Sequence, residues 1–535
     1  MAFVTTRSAR QRREEAVRRE RRTEPETAVV EGSFRDLAED FAVLHHLAVS
    51  LSRRLARTDR ELIRARRSLD GNSLDLIEHQ FRWLSSALDR LARESRELQT
   101  DAGRGPRSSA LLAGFAGRKR AIADHIRTLQ GMSAAAITAS EWQSPSFGHS
   151  VFPSAGRQIG EVKPHVDDYR RDRHPQAMEF EEAYLREYID DPHGIGLRAL
   201  MTSSGMSAFV TILHHLAAQS GRGSVLMGRG VYHECRDLLA SSPFAPRIVE
   251  VREDSAADLL DAMERERPSI VVLDTMCNAR GMALPDVSAL IGRMRELRSD
   301  AYLILDNTGL SCTFQPYALL EPDDPFPVIC FESLTKYAQF GLDRTAAGVI
   351  VARAGLIASL DPLREHLGAN VPDALVYAVP EPDRAMLERR LLRIGRNAGL
   401  LAKALHECVK RHGGGVVAGV SYPGLETHPS FAAAEPLTFR GGYLEIRFAE
   451  AFDRPEVHDR FVHRAVELAR EARVPLTLGA GFGFDTTRVY HTAFTSEAGR
   501  SFVRIAAGTE HLQQLADLAD VLARVLRKTA EDEPS

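Results

Sequence analysis

Long apolar runs are missing from this sequence. No stretch approaches the roughly 18 consecutive apolar residues of a membrane-crossing helix, so no membrane partner is expected. Net charge is nearly missing too. The 69 Lys and Arg against 73 Asp and Glu leave a formal charge of -4, so no global field draws the chain to nucleic acid. Cysteine is sparse. Cys235, Cys277, Cys312, Cys330 and Cys408 are scattered, with no C-x-x-C pair. Several fall in apolar runs, as buried free thiols do in a reducing compartment. No metal site is assigned. Met1 to Arg22 is Arg-rich but lacks the apolar core of a secretory signal, and the cytoplasm is the expected location. What remains is a chain of 535 residues, 44% hydrophobic and 27% charged, which suits a soluble protein of roughly two to four domains.

The first third reads as helical. Residues 1–32 are a mixed Arg/Glu tail, disordered or a frayed helix. From Ser33, the residues Phe34, Leu37, Phe41, Leu44, Ala48, Leu51 and Leu55 recur at helical steps. Asp70-Gly71-Asn72 breaks the pattern and Ser73 is a candidate cap. Leu74, Ile77, Phe81, Leu84, Leu88 and Leu91 form a second stripe, and Ser108 to Gln130 a third. Residues 33–132 are therefore expected to form a coiled-coil-like hairpin or three-helix element, packed on itself, on the rest of the chain or on another subunit. Its arginines are interleaved with acids, which fits a solvated face better than a nucleic-acid surface. Residues 133–200 read as a linker and arm.

Residues 201–380 alternate short apolar strands with helices. Strand candidates are Val225 to Met227, Arg247 to Val251, Ile270 to Asp274, Tyr302 to Asp306, Val328 to Phe331 and Gly348 to Val351. This is an α/β pattern with a mostly parallel sheet, in which ligands bind at the carboxyl ends of strands. Ser204, Asn278, Asp306 and Lys336 all fall at or near such ends. Residues 381–535 are assigned to a smaller α+β domain.

Ser333-Leu334-Thr335-Lys336 places a lysine just past a strand, behind two hydroxyls. Partial desolvation lowers a lysine's pKa and frees its amine as a nucleophile. Lysine and hydroxyls together suit a Schiff base with pyridoxal 5′-phosphate (PLP). Ser204-Gly205-Met206 opens a helix whose N–H groups would hold a phosphate, and Gly205 admits close approach. Asp306 would keep a pyridine nitrogen protonated. Tyr232 would stack on the ring, and Asn278 would donate to its phenolic oxygen.

From about Val166 to Arg527 the chain resembles the cystathionine γ-synthase/methionine γ-lyase family, the Cys/Met-metabolism branch of fold-type I PLP enzymes. Ser203-Ser204-Gly205-Met206 resembles its phosphate loop, Asp274-Thr275-Met276-Cys277-Asn278 its Glu-x-Pro-x-Asn segment, and Asp306-Asn307-Thr308 its Asp-Asn-Thr. The resemblance implies that Thr308 joins the cofactor site. It also implies that Tyr169 and Arg171 reach the cofactor phosphate of a neighbouring subunit, which makes a homodimer or homotetramer with shared sites. Thr477-Leu478-Gly479 is similar to the family's substrate loop, and Arg504 to its carboxylate-binding arginine.

Some positions depart from that pattern. His233-Glu234-Cys235 follows Tyr232 where Gly-x-Thr is usual, and Glu332 replaces a histidine. Arg344 resembles the phosphate-binding arginine of class I aminotransferases. The expected chemistry starts with Lys336 removing the Cα proton of an amino acid held by Arg504, with Tyr232 assisting proton transfer. Loss of a group from Cγ (or Cβ) then proceeds through a vinylglycine-type intermediate, with elimination or replacement by a second small-molecule nucleophile. The alternatives are an aminotransferase and, more remotely, a PLP-sensing transcriptional regulator.

Overall fold

Three long helices come first: α1 (Ala9–Ala65), α2 (Gly71–Arg104) and α3 (Ser109–Ser140). The computed structural model describes residues 9–65, 71–105, 107–140, 174–219, 223–243, 247–412, 415–492 and 501–532. The expected stripe of α1, Phe34 to Leu55, is buried throughout, as are Phe81, Leu84, Leu88 and Leu91 of α2. Phe115 of α3 sets its ring edge-on against Phe34 and Phe41. Helix α1 takes in residues 9–32, assigned above to a disordered tail or frayed helix, and α3 runs ten residues past Gln130 into the expected linker.

The three helices pack on one another and on the body of the same chain. Ser33 Oγ accepts the Gln513 N–H at 2.9 Å and Asp36 Oδ2 the Leu512 N–H at 3.1 Å, so α1 caps the last helix, Leu512–Asp532. Arg396 forks onto both oxygens of Asp36 at 2.9 and 2.8 Å. Lys119 Nζ of α3 sits 2.8 Å from Asp40 and 3.0 Å from Thr509 Oγ1.

Helix α4 (Pro175–Tyr188) follows, inside the segment read as arm and linker. Its proline occupies the first turn, where the missing N–H costs nothing. The large sheet is built from β1 (Leu197–Thr202), β2 (Val225–Gly228), β3 (Ile248–Val251), β4 (Ile270–Asp274), β5 (Tyr302–Asp306), β6 (Val328–Ser333) and β7 (Gly348–Arg353), in the order β1-β7-β6-β5-β4-β2-β3. Strand β7 is antiparallel to both neighbours, and the remaining pairs are parallel. Every residue of β4 is buried, as a strand covered on both faces requires. Strand β1 went unread because it lies at the sheet edge and carries the exposed Arg198. Helices α5 (Gly205–Gln219) and α6 (His233–Ala240) begin just beyond β1 and β2.

A second sheet has the order β10-β11-β12-β9-β8, from β8 (Val417–Ser421), β9 (Tyr443–Phe448), β10 (Thr477–Leu478), β11 (Arg488–Thr492) and β12 (Phe502–Ala506). Its apolar face packs under Leu401, Leu405, Phe461, Leu522 and Val525 of the flanking helices. Among the described residues, no helix is long and apolar enough to cross a membrane.

Candidate active site

The strand register decides what meets at the carboxyl edge of the large sheet. Thr202 and Ser333 both pair with Gly348, so the turn after β1 lies beside the end of β6. A Cβ on Gly348 would sit 2.3 Å from the Ser204 carbonyl oxygen, and one on Gly205 would sit 2.7 Å from Ser333 Cβ. Only glycine lets these two segments close together. The result is a cradle at the start of α5. The Ser204 Oγ accepts the Ser207 N–H at 3.0 Å, and Ser333 Oγ and Thr335 Oγ1 lie 2.8 Å apart.

The cradle forms one wall of a cavity of about 300 Å³. Ser204, Gly205, Met206, Tyr232, Asn278, Asp306, Thr308, Ser333, Thr335, Lys336 and Arg504 all line it, so eleven positions singled out from the sequence share one space. Thr308 fixes two of them. Its N–H donates to Asp306 Oδ1 at 2.9 Å, and its Oγ1 accepts the Ser333 N–H at 2.9 Å. Burial pushes the Asp306 carboxyl up to about 6, while Thr308 and then Lys336 pull the other way. A cationic pyridine nitrogen beside Asp306 would return it to the carboxylate form. Burial, and secondarily Arg504, holds the Lys336 ammonium below the ordinary lysine range, which favours the free amine needed for covalent attachment and proton removal.

Arg504 comes from the other sheet. It lies mid-strand in β12, opposite Tyr490 on β11 and Glu445 on β9, and is 2% exposed. Its Nη1 donates to Asn278 Oδ1 at 2.5 Å, while Nε and Nη2 have no hydrogen-bond partner among the described residues. A buried guanidinium with an open edge is costly unless an anion completes it, and the planar edge matches a carboxylate. Phe482 and Tyr443 flank it, with ring centroids at 5.7 and 5.8 Å. These residues fit PLP and an amino acid together. The cradle would donate to a phosphate, Asp306 would pair with the ring nitrogen, Lys336 would carry the aldehyde carbon, and Arg504 would hold the substrate carboxylate.

Other expectations fall elsewhere. Arg344 does not line the cavity. It is exposed and its Nε donates to the Arg127 carbonyl of α3 at 2.9 Å, so the helical extension holds it away. Thr477 is also exposed and outside, because β10 runs along the edge of the second sheet. The chain reaches the cavity only with Ala480, Gly481 and Phe482. Tyr169 and Arg171 lie outside the described residues. Sequence reading assigned no role to Glu234, Cys235, Asp274, Met276 or Tyr443, all of which line the cavity. A signal was present for Asp274, which ends β4 as Asp306 ends β5. Glu332 is buried, accepting the Tyr184 hydroxyl at 2.7 Å and the Ser311 hydroxyl at 2.8 Å.

The family described as Cys/Met metabolism PLP-dependent enzyme matches residues 130–464. Among curated proteins, the bifunctional enzyme flvA of Aspergillus flavus is 25% identical over 317 residues, 58% of this chain. The match takes in 37% of that protein, so the chain spans well under half of its relative's length. Among solved structures, a cystathionine γ-synthase from Xanthomonas oryzae is similar with a TM-score of 0.55 and 22% identity, over 74% of this chain and 98% of that one. A methionine γ-lyase, CalE6 of Micromonospora echinospora, is similar with a TM-score of 0.53 and 23% identity, over 72% and 97%. At such identities these structures speak for a shared fold.

Proposed function

The chain belongs to the Cys/Met metabolism family of PLP-dependent enzymes, and from that premise we propose that it acts on an α-amino acid carrying a leaving group on Cγ. The observation that carries this reading is the shared cavity. It holds one depressed lysine and, facing it, one buried arginine with an open edge. PLP, when bound, supplies an electron sink for charge that develops at Cα. The rest falls to this chain's residues. Arg504 takes the substrate carboxylate on Nε and Nη2, and Asn278 holds the opposite edge of its guanidinium in place. That clamp sets the Cα–H bond toward Lys336, whose free amine accepts the proton. Lys336, once it has given up that proton, removes a second from Cβ, and the γ group departs with its bonding electrons. Phe482, Tyr443 and Tyr232 keep bulk water from the base.

Assembly belongs to the same proposal. Among the described residues that line the cavity, the cations are Lys336 and Arg504 alone, and both have other work. The cradle supplies hydroxyls and N–H groups for a phosphate dianion but no charge to balance it. We infer that the partner subunit's Arg171 supplies that charge, with the partner subunit's Tyr169 beside it, so that the enzyme is at least a dimer.

The test is to incubate the PLP-loaded enzyme with O-acetylhomoserine, methionine and S-methylmethionine and to follow products by mass spectrometry. Release of the γ group, abolished in Lys336→Ala, is expected. Accumulation of the pyridoxamine form of the cofactor with the γ group still attached would replace this reading with transamination.

A further inference from the structure

Glu234 lines the catalytic cavity, and neither the cofactor nor the substrate backbone uses it. Three acids reach that space. Asp306 and Asp274 sit at the strand ends. Asp306 is held by the Thr308 N–H, and Asp274 Oδ2 accepts the Tyr232 N–H at 3.1 Å. Glu234 is placed differently. It sits in the first turn of α6, exposed to solvent, at the mouth of the cavity. A carboxylate in a first helical turn gains from the helix dipole wherever it points. That accounts for an acid here, and its contact with the Tyr232 hydroxyl turns it toward the cavity.

The charges inside are sorted by position. Arg504 is taken by the substrate carboxylate, and Lys336 is neutral when it acts as base. Glu234 is then the acidic charge that meets what the substrate carries beyond Cβ. Beside Glu234 stands the Tyr232 ring, and the rest of the cavity wall adds Phe482, Tyr443, Met206 and Met276. Such walls present π-faces and polarizable sulfur, which suit a weakly hydrated cation and offer little to an ester or a free anion.

We propose that Glu234 selects substrates with a positive charge at the γ position, and that the leaving group is a sulfonium. This rests on the γ-elimination reading above and names its substrate class. The step balances within the substrate. The Cγ–S⁺ bond breaks and sulfur takes the electron pair and leaves as a neutral thioether; Lys336 takes the Cα proton, releases it, and then takes the Cβ proton, and two protons return to Cγ and Cβ of the unsaturated product. A carboxylate near the sulfonium binds the charged ground state. Tyr232, whose hydroxyl burial and next Glu234 keep protonated, covers that side of the cavity.

Two measurements on the PLP-loaded protein test the proposal. The first is the ratio of kcat/KM for S-methylmethionine over O-acetylhomoserine. It should exceed one in the wild type, fall about tenfold or more in Glu234→Gln, and fall further in Glu234→Lys. The second needs no turnover. L-2,4-diaminobutyrate places an ammonium where the sulfonium would sit, and L-norvaline is its neutral counterpart. Calorimetry should show the wild type preferring diaminobutyrate, and Glu234→Gln should erase that preference. An equal effect of Glu234→Gln on both members of each pair, or a wild type that favours the neutral ligands, overturns the proposal. No elimination from any substrate, combined with an intact Glu234-dependent binding preference, supports the charge selection and overturns the reaction assigned above.

Discussion

Asp274 and Asp306 stand on the same rung of the large sheet, as the last residues of β4 and β5. Burial, and next the Asp306 charge, holds the Asp274 carboxyl well above the usual range, so the deeper of the two keeps its proton. One negative charge is left for the pair, on Asp306.

Substitutions at the two should therefore diverge. Asp306→Asn should lose on the order of 100-fold or more in exchange of substrate Cα–H with deuterated water, because a neutral amide does not keep the ring nitrogen protonated. Asp274→Asn keeps the acceptor for the Tyr232 N–H and should cost less than about tenfold. Similar losses in both variants, measured by NMR, would move the functional charge off Asp306.

Arg504→Ala should mainly raise KM for α-amino acids. Removing one charge-assisted forked pair costs about 2–4 kcal/mol, roughly 30- to 1000-fold in kcat/KM. The variant should keep its PLP, since Arg504 touches Asn278 but not the cradle. Steady-state kinetics beside cofactor absorbance separates the two effects, and unchanged kcat/KM would place the carboxylate elsewhere.

Glu332 offers a pH signature. Burial pushes its carboxyl from 4.5 up to about 7, against the hydrogen bonds from Tyr184 and Ser311. The folded chain holds an extra proton between those values, so the residue costs nothing below about pH 4.5. Its penalty grows as pH rises through the window and is complete above about 7. Glu332→Gln carries no charge to bury. Urea unfolding across pH 4.5 to 8 should show the variant gaining up to about 3 kcal/mol on the wild type, with the gain confined to the alkaline end. A pH-independent difference would mean that Glu332 is already ionised in the fold.

Much of this site was readable before folding because its residues follow strand ends. Asp306 and Ser333 close apolar runs of the kind a parallel sheet buries, and Lys336 comes three residues later. What stayed hidden depended on orientation and long-range packing. Arg344 has the right spacing for a phosphate ligand, yet α3 holds its side chain outside the cavity. Thr477 sits in the right loop, but the chain turns inward only at Ala480. The docking of α1 onto the last helix, through Ser33 and Asp36, joins residues nearly 500 positions apart, and no local pattern announces it.

The helical extension reaches the active-site loop through Lys119. Its ammonium joins Asp40 to Thr509, whose hydroxyl lies 3.2 Å from Asp485, and Asp485 pairs with Arg390 at 2.7 Å. Arg390 in turn donates to the Gly483 carbonyl at 3.0 Å, one residue beyond Phe482. Lys119→Met leaves the nearly buried Asp40 without its closest cation and should destabilise the fold by about 3–5 kcal/mol. Adding Asp40→Asn should recover part of that. KM for the amino acid should rise in Lys119→Met at temperatures where the protein remains folded, because the Phe482 segment loses its brace. Full recovery of stability in the double variant with KM still raised would separate positioning of the loop from bulk stability.

The proposed sharing of the active site between subunits gives the last expectation. Among the described residues, the cavity wall around the cradle at Ser204, Gly205, Ser333 and Thr335 carries no arginine or lysine besides Arg504 and the lysine that must bind the aldehyde carbon. A dianion held by hydroxyls and N–H groups alone would be bound weakly and lost on dilution. If the partner subunit's Arg171 completes the cradle, Arg171→Ala should release PLP, and Lys336→Ala should abolish turnover while leaving its own Arg171 to serve a neighbour. Mixed and allowed to exchange, the two inactive variants form hybrid dimers in which one site carries both intact residues. At equal amounts about half of the dimers are hybrids, each with one competent site of two, so activity should return to roughly a quarter of the wild-type value. No recovery despite exchange proven by mass spectrometry, or full activity in a monomer by light scattering, would show that each chain completes its own phosphate site.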